Sequence, residues 1–298
     1  MSSSSSRSLF RAATTAVAAL AVTLTLSLPA AAINTYNSAP APERTEVGAL
    51  VAQWDHDADP STPDRVDWVC SGTMIDTDVY LTAAHCTTDW PEGSRLGVSL
   101  AQDTQAALDA GQAAGLSGDA LFDAVAVEGT PHSDPAFPGP SSDTHDIAVL
   151  TFDQDGAAAL QQWGGFTPAT LPMAGQLSEL GSQGMSDLDY LTVGYGTSEA
   201  ARGPGGHVHE NGGVRLKAPT DFNALTKTWL KLDMHAQHGN GGACYGDSGG
   251  PNFAIIDGER ILAGTTITGD VPCYATNVTY RMDSPSAQAF LDDFVALG

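Results

Sequence analysis

The segment Gly246–Pro251, which reads Gly-Asp-Ser-Gly-Gly-Pro, constrains this 298-residue chain more than any other. A serine hydroxyl is a weak nucleophile unless an imidazole takes its proton and a carboxylate fixes the tautomer of that imidazole. Upstream the chain carries Thr82–Cys86 (TAAHC) and then His145–Leu150 (HDIAVL). The three segments offer one candidate for each role, in the order His85, Asp146, Ser248.

The serine segment also fits the G-x-S-x-G turn of α/β-hydrolases. That fold places its catalytic histidine after the serine in the chain. Every histidine of this chain precedes Ser248: His56, His85, His132, His145, His207, His209, His235 and His238. The α/β-hydrolase interpretation is therefore excluded. A plain turn would also use Asp, Ser and Gly, but a turn needs neither of the two upstream segments.

The charge of the chain excludes two classes of partner. The sequence has 35 Asp and Glu against 12 Lys and Arg, a formal net charge of −23. Proteins that bind nucleic acids or anionic membranes need basic patches. We therefore predict no nucleic-acid partner, and the 42% of hydrophobic residues is ample for a sizeable core.

Residues 1–32 are typical of a secretory signal peptide. Arg7 and Arg11 precede the apolar run Ala16–Leu28, and small residues follow at 30–32. An uncleaved membrane anchor is disfavoured because the apolar run is short and interrupted. We predict a secreted protein whose single domain spans residues 33–298, with no membrane association after cleavage. The four cysteines, an even number, fit an oxidising compartment.

Taken together, these segments resemble the chymotrypsin/trypsin family of serine peptidases, in its secreted bacterial form. The resemblance implies an all-β fold of two six-stranded Greek-key β-barrels, with the active site between them and a closing C-terminal helix. It also implies disulfides Cys70–Cys86, behind the histidine, and Cys244–Cys273, across the specificity pocket. The many short strands separated by Gly, Pro and Asp turns agree with this fold class.

Three segments depart from a plain strand pattern. Gln102–Phe122 has helical spacing of its apolar residues and is interpreted as an inserted, partly helical surface excursion. Ser198–Gly213 is a second, polar and glycine-rich insertion. Ser284–Leu297 predicts the closing helix, because apolar residues recur at helical spacing behind Ser284-Pro285-Ser286.

Each site residue receives a role from the resemblance. His85 is the expected general base, Asp146 orients it, and Ser248 is the nucleophile. Asp143 is a nearby rival for the aspartate, but it lacks the buried strand pattern that follows Asp146. The backbone N–H groups of Gly246 and Ser248 are the expected oxyanion hole.

The specificity pocket departs from that of trypsin itself. Gly242 occupies the position where trypsin-like members carry the aspartate that pairs with Arg or Lys. We therefore predict preference for uncharged, apolar residues before the scissile bond, with Gly269 leaving the entrance open and Val278 narrowing the interior. The full set of expected pocket residues is Gly242, Ala243, Tyr245, Ile267, Thr268, Gly269 and Val278.

Ile267 stands where the family usually has a serine that hydrogen-bonds the catalytic aspartate. A slip of one residue would put Thr266 or Thr268 there instead. The residue that supports Asp146 therefore stays open at this level.

Activation has a candidate pair. Cleavage after Ala32 leaves Ile33 as the new N-terminus, and in the family such an apolar terminus inserts and pairs with the aspartate before the catalytic serine, here Asp247. Loss of one partner of a buried ion pair typically costs about 3–5 kcal/mol. A cut at Arg44 is the rival, but Thr45-Glu46 is a poor terminus for an apolar slot.

The predicted function is a secreted serine endopeptidase that acts on polypeptides as a monomer, without a cofactor. His207, His209, His235 and His238 raise the question of a metal, but histidines in glycine-rich polar loops are usually just solvated, so no metal is predicted. A catalytically silent binding protein on the same fold is the alternative from another class. It is disfavoured because all three catalytic candidates are present. A secreted esterase would use the same machinery.

Overall fold

The computed structural model describes residues 33–59, 61–203 and 205–297. The predicted signal peptide, residues 1–32, lies outside the described residues. Within these ranges, two seven-stranded antiparallel sheets and one two-stranded hairpin account for the strands.

In chain order the strands are β1 (Ala39–Pro40), β2 (Val47–Trp54), β3 (Arg65–Met74), β4 (Val79–Thr82), β5 (Arg95–Ser99), β6 (Val127–Glu128), β7 (Thr130–Ser133), β8 (Ala148–Thr151), β9 (Tyr190–Gly194), β10 (Ala201–Gly203), β11 (Gly206–Val208), β12 (Leu216–Leu225), β13 (Trp229–Asp233), β14 (Pro251–Ile256), β15 (Glu259–Gly269) and β16 (Thr276–Arg281). The helices are α1 (Thr104–Ala113), α2 (Gly118–Val125), α3 (Gln154–Gly164), α4 (Gln176–Ser186) and α5 (Pro285–Leu291). Two 3-10 turns span Ala84–Cys86 and Ala236–His238.

The two sheets form the predicted pair of barrels. The N-terminal sheet runs β6-β5-β2-β3-β4-β8-β7, and the C-terminal sheet runs β1-β12-β13-β16-β15-β14-β9. The C-terminal barrel closes because β12 pairs with β9 as well as with β13. In each sheet six strands have four residues or more and one has two. The predicted all-β double-barrel fold is confirmed.

One apolar cluster joins the barrels. It combines Leu81 and Val149 of the first barrel with Phe253, Leu262 and others of the second. Burial of apolar side chains is the main favourable contribution to folding, so this cluster fixes how the barrels meet. Both disulfides, Cys70–Cys86 and Cys244–Cys273, are present.

The inserted segment forms two helices, α1 and α2. The Asp103 side chain caps α1 by accepting a hydrogen bond from the Ala106 N–H at 2.8 Å. Leu108 and Phe122 are buried and pack against Val51 of β2. The predicted helical character is present, but the segment is more than a surface excursion, since it covers one face of the first barrel.

The C-terminal helix α5 begins where the sequence predicts. The Ser284 hydroxyl accepts a hydrogen bond from the Ala287 N–H at 3.3 Å, and Phe290 and Leu291 are buried in the cluster between the barrels. Neither α3 nor α4 was predicted from the sequence; α3 lies against β6 of the first barrel, and α4 lies against β12 of the second. Among the described residues, no helix has the length and apolar character needed to cross a membrane.

Candidate active site

His85 lies on the 3-10 turn that follows β4. Its neighbour Cys86 is bonded to Cys70 of β3, which ties this turn to the first barrel. About a third of the His85 side chain, 35%, is exposed, and the ring lines a cavity between the barrels. The disulfide therefore anchors the turn, while the imidazole of His85 faces the cavity.

Asp146 lies directly before the strand that pairs with β4. In that register Thr82 of β4 is opposite Ala148 of β8, so the residues flanking the two strands meet at the same edge. Asp146 Oδ2 is 2.8 Å from His85 Nδ1, and Asp146 Oδ1 accepts the His85 backbone N–H at 2.9 Å. The carboxylate is 90% shielded from solvent, and its two oxygens hold both the ring and the backbone of one residue.

The rival carboxylate, Asp143, has other partners. It accepts the Tyr280 hydroxyl at 2.8 Å, on the side of the second barrel. Between the two aspartates, His145 adopts a left-handed conformation with φ of 54°, and its Nδ1 lies 2.8 Å from Asp134 Oδ2. The chain thus reverses direction at His145 and turns only Asp146 toward His85.

Among the described residues, none of Ile267, Thr266 and Thr268 donates a hydrogen bond to the Asp146 carboxylate. Ile267 is half-buried at a register shift in β15. It packs against the cluster that joins the barrels and against a second apolar cluster, which includes Leu50 and Leu150 of the first barrel. The Thr266 hydroxyl accepts a hydrogen bond from Asn252 at 2.9 Å, and Thr268 lines the cavity. Among the described residues, the hydrogen bonds to the Asp146 carboxylate come from His85.

Ser248 sits on a turn that is fixed from both barrels. Its carbonyl accepts the Ser71 N–H of β3 at 2.9 Å, and the next residue, Gly249, donates to the Thr266 carbonyl at 2.7 Å. Ser248 and His85 line the same cavity. The turn therefore places the predicted nucleophile in the cavity that His85 also lines.

The N–H groups expected to form the oxyanion hole point away from protein acceptors. Within the part of the chain that the structure describes, neither the Gly246 nor the Ser248 N–H donates to a protein atom. Gly246 has φ of 91°, and a Cβ there would lie 2.5 Å from the Trp68 ring. Only glycine fits both this conformation and this approach.

Ser71 is a positioning residue that the sequence analysis did not single out. Its hydroxyl donates to the Gly246 carbonyl at 2.9 Å and accepts the Tyr195 N–H at 2.9 Å. It therefore connects the serine turn to β3 and to the residue after β9. The only sequence signal was its place beside Cys70 in the Cys-Ser-Gly-Thr segment.

Asp247, beside the serine, is fully buried. Its carboxylate accepts the Gly196 N–H at 2.7 Å and the Cys244 N–H at 2.8 Å. Burial raises the pKa of this carboxyl to about 7, although the two backbone hydrogen bonds act in the opposite direction. Within the described residues no basic side chain forms an ion pair with it.

Ile33, the expected activating N-terminus, lies in a small apolar cluster of its own. It is buried with Val214, Leu216 and Ala218, while the next residue, Asn34, donates its N–H to the Gly242 carbonyl at 3.0 Å. In the 298-residue chain the Ile33 nitrogen belongs to a peptide bond and carries no charge. The structure accordingly does not pair it with Asp247.

The cavity beside Ser248 has a volume of about 290 Å³. Its lining comprises His85, Ala243, Cys244, Tyr245, Ser248, Thr266, Ile267, Thr268, Gly269, Asp270 and Cys273. Five of the seven expected pocket residues are in this set. Gly242 is not in this set, and a Cβ there would lie 2.5 Å from Met234 Cγ, whereas Val278 lies on β16 opposite Thr268.

Asp270 is a carboxylate in the lining that the sequence analysis missed. Burial alone would raise its pKa, but hydrogen bonds from the backbone N–H groups of Thr276, Tyr274 and Ala275 leave the pKa below its ordinary value. These bonds occupy both carboxylate oxygens within a turn. Asp270 is therefore an ionised carboxylate in the lining, held in place by its own turn, and within the described residues no basic side chain forms an ion pair with it.

Two antiparallel barrels with a serine turn beside a histidine–aspartate pair define the class of double-barrel serine hydrolases. The family model described as Trypsin matches residues 47–284, most of the chain. The chain therefore belongs to the trypsin family, and it is a serine-type endopeptidase whose substrates are polypeptides. No match was found among curated proteins.

Proposed function

We propose that this protein is a secreted endopeptidase that uses His85, Asp146 and Ser248 as its catalytic triad and prefers an uncharged, apolar residue before the scissile bond. The observation that carries the proposal is the convergence of the His85–Asp146 pair and Ser248 on one cavity. Export is supported by the signal-like residues 1–32 and by the two disulfides, since disulfides persist in oxidising compartments.

The chemistry follows from these positions. His85 Nε2 takes the Ser248 hydroxyl proton as Oγ attacks the peptide carbonyl carbon, and the carbonyl oxygen becomes an anion. The N–H groups of Gly246 and Ser248 donate to that oxyanion. His85 then protonates the leaving amine, and the C–N bond breaks to leave an acyl-enzyme. Water repeats the sequence, returning the hydroxyl to Ser248. Asp146 holds Nδ1 protonated and stabilises the imidazolium.

The preference for apolar residues rests on the wall of the cavity. Ala243 and Ile267 line it, and the carboxylate of Asp270 is occupied by its own turn. A Cβ on Gly242, where trypsin-like members carry an aspartate, would lie 2.5 Å from Met234 Cγ, so an apolar side chain takes up the space at this position. The one carboxylate among the lining residues, Asp270, already accepts three backbone hydrogen bonds, so it offers a substrate Arg or Lys less than a free aspartate at position 242 would.

Labelling tests the triad directly. A fluorophosphonate should label the secreted protein at Ser248, and Ser248→Ala should abolish labelling and lower kcat by roughly 10⁶-fold. His85→Ala should cost about as much, and the double variant little more than either, because the residues act as one unit. His56→Ala, an exposed histidine elsewhere, is the control and should retain full activity. Losses that multiply in the double variant would contradict a shared mechanism.

A peptide library tests the pocket. We expect cleavage to concentrate after uncharged apolar residues, with preferences among them of about 1–3 kcal/mol per methylene. Dominant cleavage after Arg or Lys would refute the proposed specificity while leaving the triad intact.

A further inference from the structure

Three side chains at the end of β13 converge outside the active site. Asp233 is the last residue of the strand, and His235 and His238 lie on the turn that follows. Both imidazoles direct Nδ1 at this single carboxylate: His235 contacts Oδ1, and His238 Nδ1 lies 2.6 Å from Oδ2. One donor atom from each residue can be chosen so that all three lie within 4.8 Å of one another.

The carboxylate is held in place and the imidazoles are open to solvent. The Asp233 side chain is only 11% exposed, whereas those of His235 and His238 are 52% and 61% exposed. Asn240, which is buried, donates to Asp233 Oδ2 at 3.0 Å. A fixed carboxylate with an outer hydrogen bond, facing two accessible imidazoles, is the usual arrangement around a bound transition metal.

A second observation is the excess of negative charge at this point. Asp233 lies directly opposite Asp221 on the neighbouring strand β12. Like charges in opposed positions of a sheet are destabilising. The Asn240 amide bridges the two carboxylates, donating to Asp221 Oδ2 at 2.9 Å, but it brings no formal charge. A cation held by Asp233 and two neutral imidazoles would compensate this negative charge, which Asn240 offsets only through hydrogen bonds.

We propose that Asp233, His235 and His238 bind a divalent transition-metal cation of the zinc type. Each imidazole coordinates as the neutral form through the Nδ1 lone pair, with its proton on Nε2, and Asp233 supplies a carboxylate oxygen. Two imidazoles and a carboxylate suit zinc rather than calcium or magnesium, which take oxygen ligands. Water completes the coordination on the exposed side.

The site lies beside the specificity pocket but is separate from the catalytic residues. The turn continues from His238 to Gly242 and then to Ala243, which lines the cavity. The side chain of Met234, between two of the ligands, lies so near Gly242 that a Cβ on this glycine would be 2.5 Å from Met234 Cγ. A bound cation therefore restrains the segment that forms the cavity wall. The sequence analysis predicted no metal, and His209 indeed has other partners, since its Nδ1 lies 3.1 Å from the Ser198 carbonyl.

Zinc titration of the full chain tests the proposal. The background is His85→Ala/Ser248→Ala, which cannot digest itself and lacks the imidazole of the His85–Asp146 pair. Competition with a chromophoric chelator should show one saturable Zn²⁺ site, and Zn²⁺ should raise the Tm by several degrees. Adding His235→Ala/His238→Ala should abolish both effects, because two of the three ligands are lost.

The matched control is His207→Ala, a histidine in the β10–β11 hairpin, which should bind Zn²⁺ as the background does. His238→Gln, a single change at the more exposed ligand, should weaken binding at least about tenfold and covers the case in which the double variant is not secreted. Absence of saturable Zn²⁺ binding would overturn the proposal. So would binding that survives His235→Ala/His238→Ala or His238→Gln unchanged.

Discussion

At the residue scale, the serine turn depends on one hydroxyl that takes no part in the proposed chemistry. Ser71 holds the Gly246 carbonyl from one side and the Tyr195 N–H from the other. The Gly246 carbonyl belongs to the peptide group that joins Gly246 to Asp247. The N–H of Gly246, a proposed oxyanion donor, lies in the peptide group just before it. A donor that stabilises a transition state must be fixed before the charge develops.

Ser71→Ala should therefore lower kcat about tenfold, with a smaller change in KM. The reason is the loss of roughly 1–2 kcal/mol of hydrogen bonding that positions the Gly246 peptide. Steady-state kinetics on one peptide substrate measure the effect. Ser94→Ala removes a buried hydroxyl that has no hydrogen-bond partner among the residues that the structure describes and serves as the control with near-normal kcat. An equal loss in both variants would indicate general destabilisation instead of positioning.

At the scale of elements, the α1–α2 insertion is part of the first barrel's core. Phe122 is fully buried, the Arg95 guanidinium lies 4.2 Å from its ring centre, and a Cβ on Gly97 of β5 would lie 2.8 Å from that ring. The insertion also reaches toward the site, because Gln105 accepts the Trp68 indole N–H at 2.9 Å and Trp68 packs against Gly246.

Phe122→Ala should lower the free energy of unfolding by about 3–5 kcal/mol, because it removes a large buried side chain and leaves a cavity. Denaturant unfolding in the Ser248→Ala background, where self-digestion is prevented, measures the change. Gln112→Ala, at an exposed position of α1, should change stability by less than about 0.5 kcal/mol. A mild effect of Phe122→Ala would mean that α2 is only peripheral.

At the scale of the whole molecule, the buried Asp247 couples folding to pH. Its raised pKa, about 7, means that the folded chain keeps this proton at pH values where the unfolded chain has lost it. The folded state then binds more protons, so the free energy of unfolding falls as pH rises. The fall begins near the ordinary carboxyl pKa of about 4 and ends near 7.

The uncleaved Ser248→Ala chain should therefore lose up to about 4 kcal/mol of stability from Asp247 between pH 4 and pH 7. In a chain that begins at Ile33, the proposed pairing of the new ammonium with Asp247 should remove most of this loss. Denaturant unfolding of both forms across this range measures the difference, with a form that begins at Ala31 as the control. Parallel profiles for the Ile33 and Ala31 forms would contradict the activation pair.

Processing gives a second measurement of the same idea. Mass spectrometry of the active secreted protein should find Ile33 at its N-terminus, and Asp247→Asn should lower activity severely because the buried ammonium would lose its counter-charge. An N-terminus well downstream of Ile33, or full activity in Asp247→Asn, would contradict activation by export.

The sequence by itself determined the family and the double-barrel class, because serine chemistry requires a particular set of residues and the segments around His85, Asp146 and Ser248 are local patterns. It also determined the start of α5, since capping by Ser284 depends only on adjacent residues. Such features can be predicted from the sequence because the interactions that produce them join residues within a few positions of one another.

Other features were decided only by the tertiary structure. The bonds of Ser71 join residues 175 and 124 positions apart, and Asp221 meets Asp233 across two neighbouring strands. Which atoms meet there depends on strand register and on how the barrels pack. A shift of one residue in a strand turns every side chain to the other face, so no local pattern could have fixed these contacts.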